Sequence, residues 1–345
     1  MSITIKDVAK KAKVAPSTVS RVIADSPRIS QQTKERVREA MEELGYHPNY
    51  NARSLVNQST KTLGVIIPSS AKVAFQNPFF PEVLRGITAK AYLDKYGLYL
   101  STGQTDQEIL EEVKQMVYSR RVDGIILLYS KANDGVLSFL LEQTFPFVLV
   151  GRPQGVEEDE IFYVNNDNIR ASKTVTEYLL LLGHERIGFI GGNLDYVVTK
   201  DHKMGYERAL NNANIPVREE YIVYNDEVLE GGQEAVIEFM TLEERPTALV
   251  VADDLMALGV LRMLDEMGIS VPEEMSIVSF NNVMLSELSS PPLTTVDINI
   301  YELGFQGTDK LIHRIADPSY DVKKTIIPYR FIKRQTCLKR TVNES

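Results

Sequence analysis

Side chains that can bond to the edges of DNA bases stand close together near the N-terminus. Ser17, Ser20 and Arg21 share one face of residues 16–23, and the opposite face is apolar. Hydroxyl side chains are small enough to let a helix approach a groove closely, and a guanidinium can bond guanine through two nitrogens. The spacing therefore predicts a short helix that lies in a DNA groove. The simpler alternative is an amphipathic helix of an ordinary bundle.

Two more helices are needed to position that face. The first should begin just after Thr4, whose hydroxyl can accept backbone N–H groups, with Asp7 near the positive helix end. The second begins at Pro16, because proline is tolerated in a first helical turn. The third runs from Ser30, its N-cap, to Gly45, which is placed to end it. Three helices of this size make one small domain.

Charge separates this region from the remainder of the chain. Residues 1–61 hold eleven Lys and Arg against six Asp and Glu, a net charge of +5, whereas the whole 345-residue chain carries −9. A basic head on an acidic body is typical of a nucleic-acid-binding module attached to a separate regulatory domain. The charge distribution therefore favours DNA binding over a solvated helical bundle.

Motifs along the whole chain carry a resemblance to a known family. In order they are Ile5–Ala9, Val14–Ile23, Leu44–Asn49, Asn51–Leu55, Thr62–Pro68, Asn77–Phe80, Val122–Ile126, Leu182–Gly191, Val250–Gly259 and Ser290–Val296. Together they resemble the lactose-repressor family of bacterial transcription regulators. Residues 151–153 and 193–201 most resemble its maltose-operon repressors of Gram-positive bacteria. The resemblance implies a helix-turn-helix headpiece that contacts DNA through Thr4, Pro16, Ser17, Thr18, Ser20 and Arg21.

The resemblance also implies a hinge after the headpiece. Its candidate DNA contacts are Asn49, Asn51, Ala52, Arg53 and Leu55. The segment is too short to persist as an isolated helix in water, so it should become ordered only when docked. In the family the hinge leucine is a wedge between central base pairs of the minor groove, and Leu55 matches it. A plain linker residue that packs on the body is the alternative for Leu55.

The remaining chain has the pattern of an α/β body with two parallel sheets. Strand-like runs at 63–67, 98–102, 124–129 and 147–150 alternate with helical stretches at 81–96 and 107–120. A second set has strands at 186–190, 248–252 and 276–280 and helices at 169–182, 203–212, 231–240 and 255–267. Two such sets suggest two lobes that face one cleft. The resemblance implies a periplasmic-binding-protein-like body with three crossings between lobes and a last strand at 326–332 in the second lobe.

The predicted domains are a headpiece at 1–48, a hinge at 49–61 and an effector-binding and dimerisation domain at 62–345. Lobe 1 is expected at about 62–162 and 294–325, and lobe 2 at about 163–293 and 326–345. Some family members form tetramers through a C-terminal leucine heptad. This chain shows no such repeat, so we expect a homodimer.

Ligand chemistry is expected at the C-terminal ends of the parallel strands, where a crevice opens. Polar side chains beside aromatic faces suit a polyhydroxylated sugar. The candidates are Ser69, Phe79, Phe80, Tyr129, Arg152, Asp253 and Asn281, and the resemblance favours the last three as effector contacts. The phenylalanines could instead belong to the core. Asp253 could instead cap the helix at 255–267, although Asp254 is the expected cap.

One candidate position departs from the family pattern. Sugar-binding members usually have an arginine three residues before a glycine-aromatic pair, here Gly205-Tyr206, and this chain has His202 there. Histidine lacks the reach and the fork of arginine, which puts this effector contact in question. Lys200, Asp201 or His202 itself could substitute. A pH-dependent response through His202 is a further hypothesis, and a surface histidine is the commoner case.

Signals for other functions are sparse. One cysteine, Cys337, and four histidines show no metal-ligand spacing, and neither a GxSxG elbow nor a GxxxxGK[ST] loop occurs, so no enzyme, metal or cofactor is expected. Gly191-Gly192 is interpreted as a turn at the cleft. A charged N-terminus and the lack of about eighteen consecutive apolar residues predict a cytoplasmic protein without a membrane partner. This expectation argues against the alternative that the chain is an exported sugar-binding receptor.

The sequence thus predicts a dimeric regulator whose two headpieces read a pseudo-palindromic operator. We expect a repressor of carbohydrate utilisation, of maltose or maltodextrin type, that a small sugar induces. A coupling of about 1 to 3 kcal/mol is enough to change DNA occupancy roughly 5- to 150-fold. Alternatives are a catabolite-control regulator with a phosphorylated carrier protein as corepressor, a nucleobase-responsive repressor, and a sugar-binding protein without DNA function.

Overall fold

The computed structural model describes residues 3–23, 25–46, 59–68, 75–155 and 157–340. The chain divides into two compact units, residues 1–60 and residues 61–345. The predicted contacts Asn49, Asn51, Ala52, Arg53, Leu55 and Ser69 lie outside the described residues.

In its described residues, the first unit has three helices, α1 (Ile5–Lys11), α2 (Pro16–Ile23) and α3 (Gln31–Leu44). Their apolar faces meet in a small core formed by Val8, Ala9, Ala12, Val19, Val22, Val37 and Ala40. The predicted ends of α3 are confirmed: the Ser30 hydroxyl accepts the Thr33 N–H, and Gly45 ends the helix with a φ of 61°. Thr4 and Asp7 form a capping box at the start of α1, in which the Asp7 carboxylate accepts the Thr4 backbone N–H at 2.9 Å and the Thr4 hydroxyl at 2.7 Å.

The second unit begins with a six-stranded parallel sheet in the order β11-β5-β4-β3-β1-β2. Its strands are β1 (Thr62–Ile66), β2 (Gly97–Leu100), β3 (Gly124–Leu127), β4 (Phe147–Val150), β5 (Tyr163–Asn165) and β11 (Lys324–Ile326). Leu63 of β1 lies opposite Leu98 on one side and Gly124 on the other. The described helices that pack against this sheet are α4 (Phe79–Leu93) with α12 (Ile300–Ala316), and α5 (Asp106–Tyr118) with α6 (Gly135–Glu142).

A second six-stranded sheet has the order β12-β10-β9-β8-β6-β7. Its strands are β6 (Ile187–Gly191), β7 (Ile222–Tyr224), β8 (Ala248–Val251), β9 (Ser276–Phe280), β10 (Thr294–Asp297) and β12 (Arg330–Ile332). All pairs are parallel except β10 with β12, so the second of the two sheets predicted to be parallel has one antiparallel edge. The helices are α7 (Asn168–Leu181), α8 (Val197–Asn212), α9 (Leu229–Met240), α10 (Asp254–Glu266) and α11 (Met284–Leu288).

The central strands of the two lobes are buried along their whole length, whereas the edge strands β2, β11 and β12 are partly exposed. Every residue of β3, β4, β6, β8 and β9 is buried. Continuous apolar runs such as residues 248–251 are typical of parallel strands covered on both faces. The predicted α/β class with a helix-turn-helix unit and a two-lobed body is confirmed.

The chain passes between the two sheets three times, after β5, after β10 and after β11. Asn166 ties these crossings together, because its side-chain amide donates to the carbonyls of Ile298 and Ile327, each at 2.9 Å. The crossings therefore lie side by side and form one connection between the lobes, which is separate from the hinge predicted at 49–61.

The structure corrects several sequence boundaries in the body. Residues 163–165 pair in the first sheet and residues 294–297 in the second. The chain therefore changes lobe after each of these strands, whereas the boundaries expected at 162/163 and 293/294 lie before them. The strand expected at 326–332 is two strands in different sheets, separated at Pro328, which has no N–H to donate to a ladder.

Candidate functional site

The face of α2 that the sequence singles out is presented to solvent. Pro16, Ser17, Ser20 and Arg21 are exposed and Thr18 is half-buried, while Val19 and Val22 on the other side are buried. Thr4 at the start of α1 is also exposed. A short helix held by a core on one side and carrying hydroxyls and a guanidinium on the other can dock in a major groove.

A cavity of about 300 Å³ lies between the two lobes of the second unit. The lining residues follow the C-terminal ends of strands from both sheets, as parallel α/β architecture predicts. Among the predicted effector contacts, it is lined by Phe79, Phe80, Tyr129, Arg152, His202, Asp253 and Asn281. The volume is at the lower end of the range for small-molecule sites.

Asp253 is the centre of a polar cluster in this cavity. Its Oδ2 accepts from the Asn281 side-chain amide at 2.8 Å and from that of Asn77 at 3.2 Å. Its Oδ1 accepts the backbone N–H of Leu255 at 2.7 Å. Burial raises the pKa of Asp253, and these three N–H donors, together with the Met256 N–H, act against the rise. Asn77 begins the motif Asn77–Phe80 but was not predicted as an effector contact. It lies in the first lobe and so links the lobes across the cavity.

Asp253, not Asp254, is the N-cap of α10, which corrects the expected assignment. Asp254 is fully buried beneath the cavity and accepts from the hydroxyls of Ser279 at 2.5 Å and Thr295 at 2.6 Å. It also accepts the Val283 N–H at 2.8 Å. Burial raises the pKa of Asp254 to about 7. Its carboxyl is used by two strands of the second sheet, so it is not available to cap the helix.

Arg152 and Asp201 form a second link across the cleft. Arg152 Nε donates to Oδ2 of Asp201 at 3.1 Å, and Nη2 donates to Oδ1 at 2.5 Å. This two-pronged pair raises the pKa of the guanidinium. The backbone carbonyl of Arg152 accepts the Ser130 hydroxyl at 2.7 Å, which fixes the loop that carries it. From the sequence, Asp201 was predicted only as a possible substitute for the arginine that sugar-binding family members have at position 202.

Aromatic rings supply the apolar part of the lining. Phe79 and Phe80 lie edge to face with their centroids 5.3 Å apart, and Asn77 accepts the Phe79 N–H at 2.9 Å. Both rings are half-buried, so they serve the cavity as well as the core. Tyr129 is buried, and burial raises its pKa above the ordinary value.

His202 is buried rather than at the surface, against the commoner case. Its ring stacks on Phe280 with centroids 4.1 Å apart, and neither ring nitrogen has a hydrogen-bond partner within the described structure. Burial lowers the pKa of His202 to about 4. The imidazole is therefore neutral near pH 7.

A short antiparallel contact between two loops also joins the lobes across the cleft. We call residues 130–132 and 195–197 the cleft clasp. The Val197 N–H donates to the Ser130 carbonyl at 3.0 Å, and Lys131 forms an isolated β-bridge with Tyr196. The Lys131 ammonium lies 5.1 Å from the centroid of the Tyr196 ring. Because the two strips follow β3 and β6, the clasp joins the lobes.

Two other types of site are absent from the residues that the structure describes. No helix there has the length and apolar character needed to cross a bilayer. In the same ranges, no group of three or more His, Cys, Asp or Glu side chains is arranged to hold a metal ion.

Comparisons with known proteins agree with this architecture. Residues 4–49 match the family of bacterial regulatory proteins known as the lacI family, and residues 176–337 match a periplasmic binding protein-like domain. The chain is 40% identical over 321 residues to the HTH-type transcriptional regulator MalR of Streptococcus pneumoniae, which covers 92% of this chain and 94% of that relative.

Two solved structures are similar as well. A putative transcriptional regulator LacI from Bacillus cereus subsp. cytotoxis is 50% identical with a TM-score of 0.80, covering 81% of this chain and 99% of that one. A transcriptional regulator CelR-cellobiose complex is 30% identical with a TM-score of 0.77, covering 97% and 99%. The chain therefore belongs to the lacI family of bacterial regulatory proteins, and the resemblance found in the sequence is confirmed.

Proposed function

We propose that this chain is a sequence-specific repressor of carbohydrate-utilisation genes, of maltose or maltodextrin type, and that a small sugar releases it from its operator. The observation that carries the proposal is the cavity between the lobes. It combines the edge-to-face pair Phe79 and Phe80 with a fixed cluster of Asp253, Asn281 and Asn77. Rings for the C–H face of a sugar and amide or carboxylate groups for its hydroxyls are the usual lining of such a site.

The DNA half of the proposal places Ser17, Ser20 and Arg21 against base edges in the major groove. The exposure of all three side chains on a buried three-helix core supports this role. By family resemblance, Leu55 enters the minor groove at the centre of the operator, with the hinge residues Asn49, Asn51, Ala52 and Arg53 beside it. A homodimer would present two such units to a pseudo-palindromic site.

Sugar binding would act on DNA affinity through the arrangement of the lobes. Two of the polar contacts that line the cavity, Asn77 with Asp253 and Arg152 with Asp201, join one lobe to the other. A ligand that adds to or replaces these contacts therefore binds one lobe arrangement better than another. Such differential affinity is what an allosteric effector requires.

The proposal is tested with gel shifts on a duplex from the gene's own upstream region. Arg21→Ala should weaken binding roughly 5- to 150-fold, which corresponds to the loss of one bidentate base contact of about 1–3 kcal/mol. Arg36→Ala is the matched control, because it also removes an exposed guanidinium, but from α3 instead of α2. Leu55→Ala should also weaken binding. Equal affinity of wild type, Arg21→Ala and Leu55→Ala would refute the DNA-binding roles.

The effector half is tested in the same assay with maltose, maltotriose, cellobiose and glucose. We expect at least one sugar to release the duplex from wild type, and Asn281→Ala to retain operator binding while it loses the response. A complex that no sugar weakens, and that a phosphorylated carrier protein strengthens, would favour the corepressor alternative instead.

A further inference from the structure

The described lining of the cavity carries more negative than positive charge. Its described charged side chains are Arg152, Asp201, Asp226 and Asp253. Arg152 is held by both oxygens of Asp201, and the Asp201 side chain is only 2% exposed. Since this pair carries no net charge, Asp226 and Asp253 leave the described lining negative.

The histidine in the lining does not change this balance. His202 is enclosed against Phe280 and has no carboxylate partner among the described residues, so none of these neighbours favours the imidazolium form. Burial lowers the pKa of His202 to about 4, which keeps the ring neutral at pH 7. Asp253 accepts from four N–H donors, as an ionised carboxylate does.

We propose that Asp201 is a specificity-determining residue: by neutralising Arg152 it restricts the cavity to uncharged sugars and excludes their phosphates. The inference rests on the proposed sugar effector and names its chemical class. A phosphate group carries about −1.5 to −2 charges at pH 7. It would enter a site whose one described cation is already paired and whose other charges repel it.

An uncharged sugar faces no such obstacle. A guanidinium has five N–H donors, and Asp201 engages two of those of Arg152. The remaining donors are held in a fixed orientation by the pair and can bond to sugar hydroxyls. The unpaired nitrogens of His202 can likewise donate to one hydroxyl and accept from another after a small ring movement.

The test is calorimetry of the full chain with matched sugars: glucose and glucose 6-phosphate, maltose and maltose 6′-phosphate, cellobiose and cellobiose 6′-phosphate. In wild type, any sugar that binds should bind at least tenfold more tightly than its phosphate. Asp201→Asn should reduce this ratio by about tenfold, because it leaves the charge of Arg152 uncompensated. Asp265→Asn, which changes an exposed carboxylate on α10, is the matched control and should keep the wild-type ratio.

Asp226→Asn keeps the test decisive if Asp201→Asn does not fold. Asp226 is exposed at the cavity, so its removal should reduce the ratio by a smaller factor, roughly 2- to 5-fold, owing to solvent screening. A wild type that binds a phosphorylated sugar as tightly as its parent overturns the proposal. So does an Asp201→Asn variant that behaves like Asp265→Asn, or, where only Asp226→Asn folds, an unchanged ratio in that variant.

A sugar-independent arm separates this inference from the proposed function. Melting temperatures are measured with inorganic phosphate against chloride at constant ionic strength. Phosphate should stabilise Asp201→Asn and not wild type, and adding Arg152→Gln should abolish the effect. Stabilisation of wild type that depends on Arg152 would overturn the proposal. Operator binding is measured in a separate assay, so neither result of the phosphate test changes the conclusion about DNA binding.

Discussion

Two glycines on one helix should respond in opposite ways to the same substitution. Helices α4 and α12 cross so closely that a Cβ at Gly304 would lie 2.2 Å from the carbonyl oxygen of Val83. At Gly307, one turn further along α12, the nearest atom to such a Cβ is Cγ2 of Val150 at 3.6 Å. We predict that Gly304→Ala destabilises the body and that Gly307→Ala does not.

The magnitudes follow from the contacts. Both substitutions gain about 1 kcal/mol of helix propensity, because alanine restricts the unfolded chain more than glycine does. At Gly307 the added methyl makes an ordinary van der Waals contact, so the gain of up to about 1 kcal/mol remains. At Gly304 the neighbour is backbone and cannot rotate away, and overpacking of this kind costs about 1–3 kcal/mol or more. Taking the upper end, Gly304→Ala should lose about 2 kcal/mol, and the two variants should differ by about 3 kcal/mol.

Urea unfolding followed by far-UV circular dichroism measures this difference, and the chain contains no tryptophan that could serve as a fluorescent probe. The midpoint should fall for Gly304→Ala and rise or stay constant for Gly307→Ala, with similar m-values. Equal midpoints for the two variants would show that α4 and α12 can separate at little cost. The close approach of the helices would then not be needed for stability.

Three further predictions concern the buried polar groups and the cavity. Burial raises the pKa of Asp254 to about 7 from an ordinary value of 3.8, so stability should fall as pH rises from about 4 to 7, and thermal melts of Asp254→Asn should lack this decline. Asn166→Ala should cost about 2–3 kcal/mol in urea unfolding, because it leaves the carbonyls of Ile298 and Ile327 without their donor. Phe79→Ala should weaken sugar binding in calorimetry while gel shifts show unchanged operator affinity.

Local signals made the three-helix unit predictable from sequence. Ser30 begins helix α3 and Gly45 ends it by rules that involve only neighbouring residues, and the structure shows both at the predicted positions. The long helix α12 was missed because Gly304 and Gly307 lower the helix propensity of its centre. Strands β5 and β7 have three residues each, which is too short for a periodic pattern.

The residues of the cavity were more predictable than their partners. All the predicted effector contacts within the described structure line the cavity, since the C-terminal ends of parallel strands meet there. The pair Arg152 and Asp201 joins positions 49 residues apart, and Asn77 and Asp253 are 176 apart. Such pairs are set by tertiary packing. The burial of His202 likewise depends on Phe280, a neighbour that only the fold provides.

The contacts across the cleft set the scale of the proposed allosteric effect. Coupling between effector and operator needs about 1–3 kcal/mol. One hydrogen bond to a charged group is worth about 1.5–3 kcal/mol net, so the single contact of Asn77 with Asp253 is of the right size. A sugar hydroxyl that displaced this amide, or that bridged it to the carboxylate, would change the lobe preference by that amount. The response therefore does not require a large rearrangement of the cavity, because exchange of one polar partner between the lobes is sufficient.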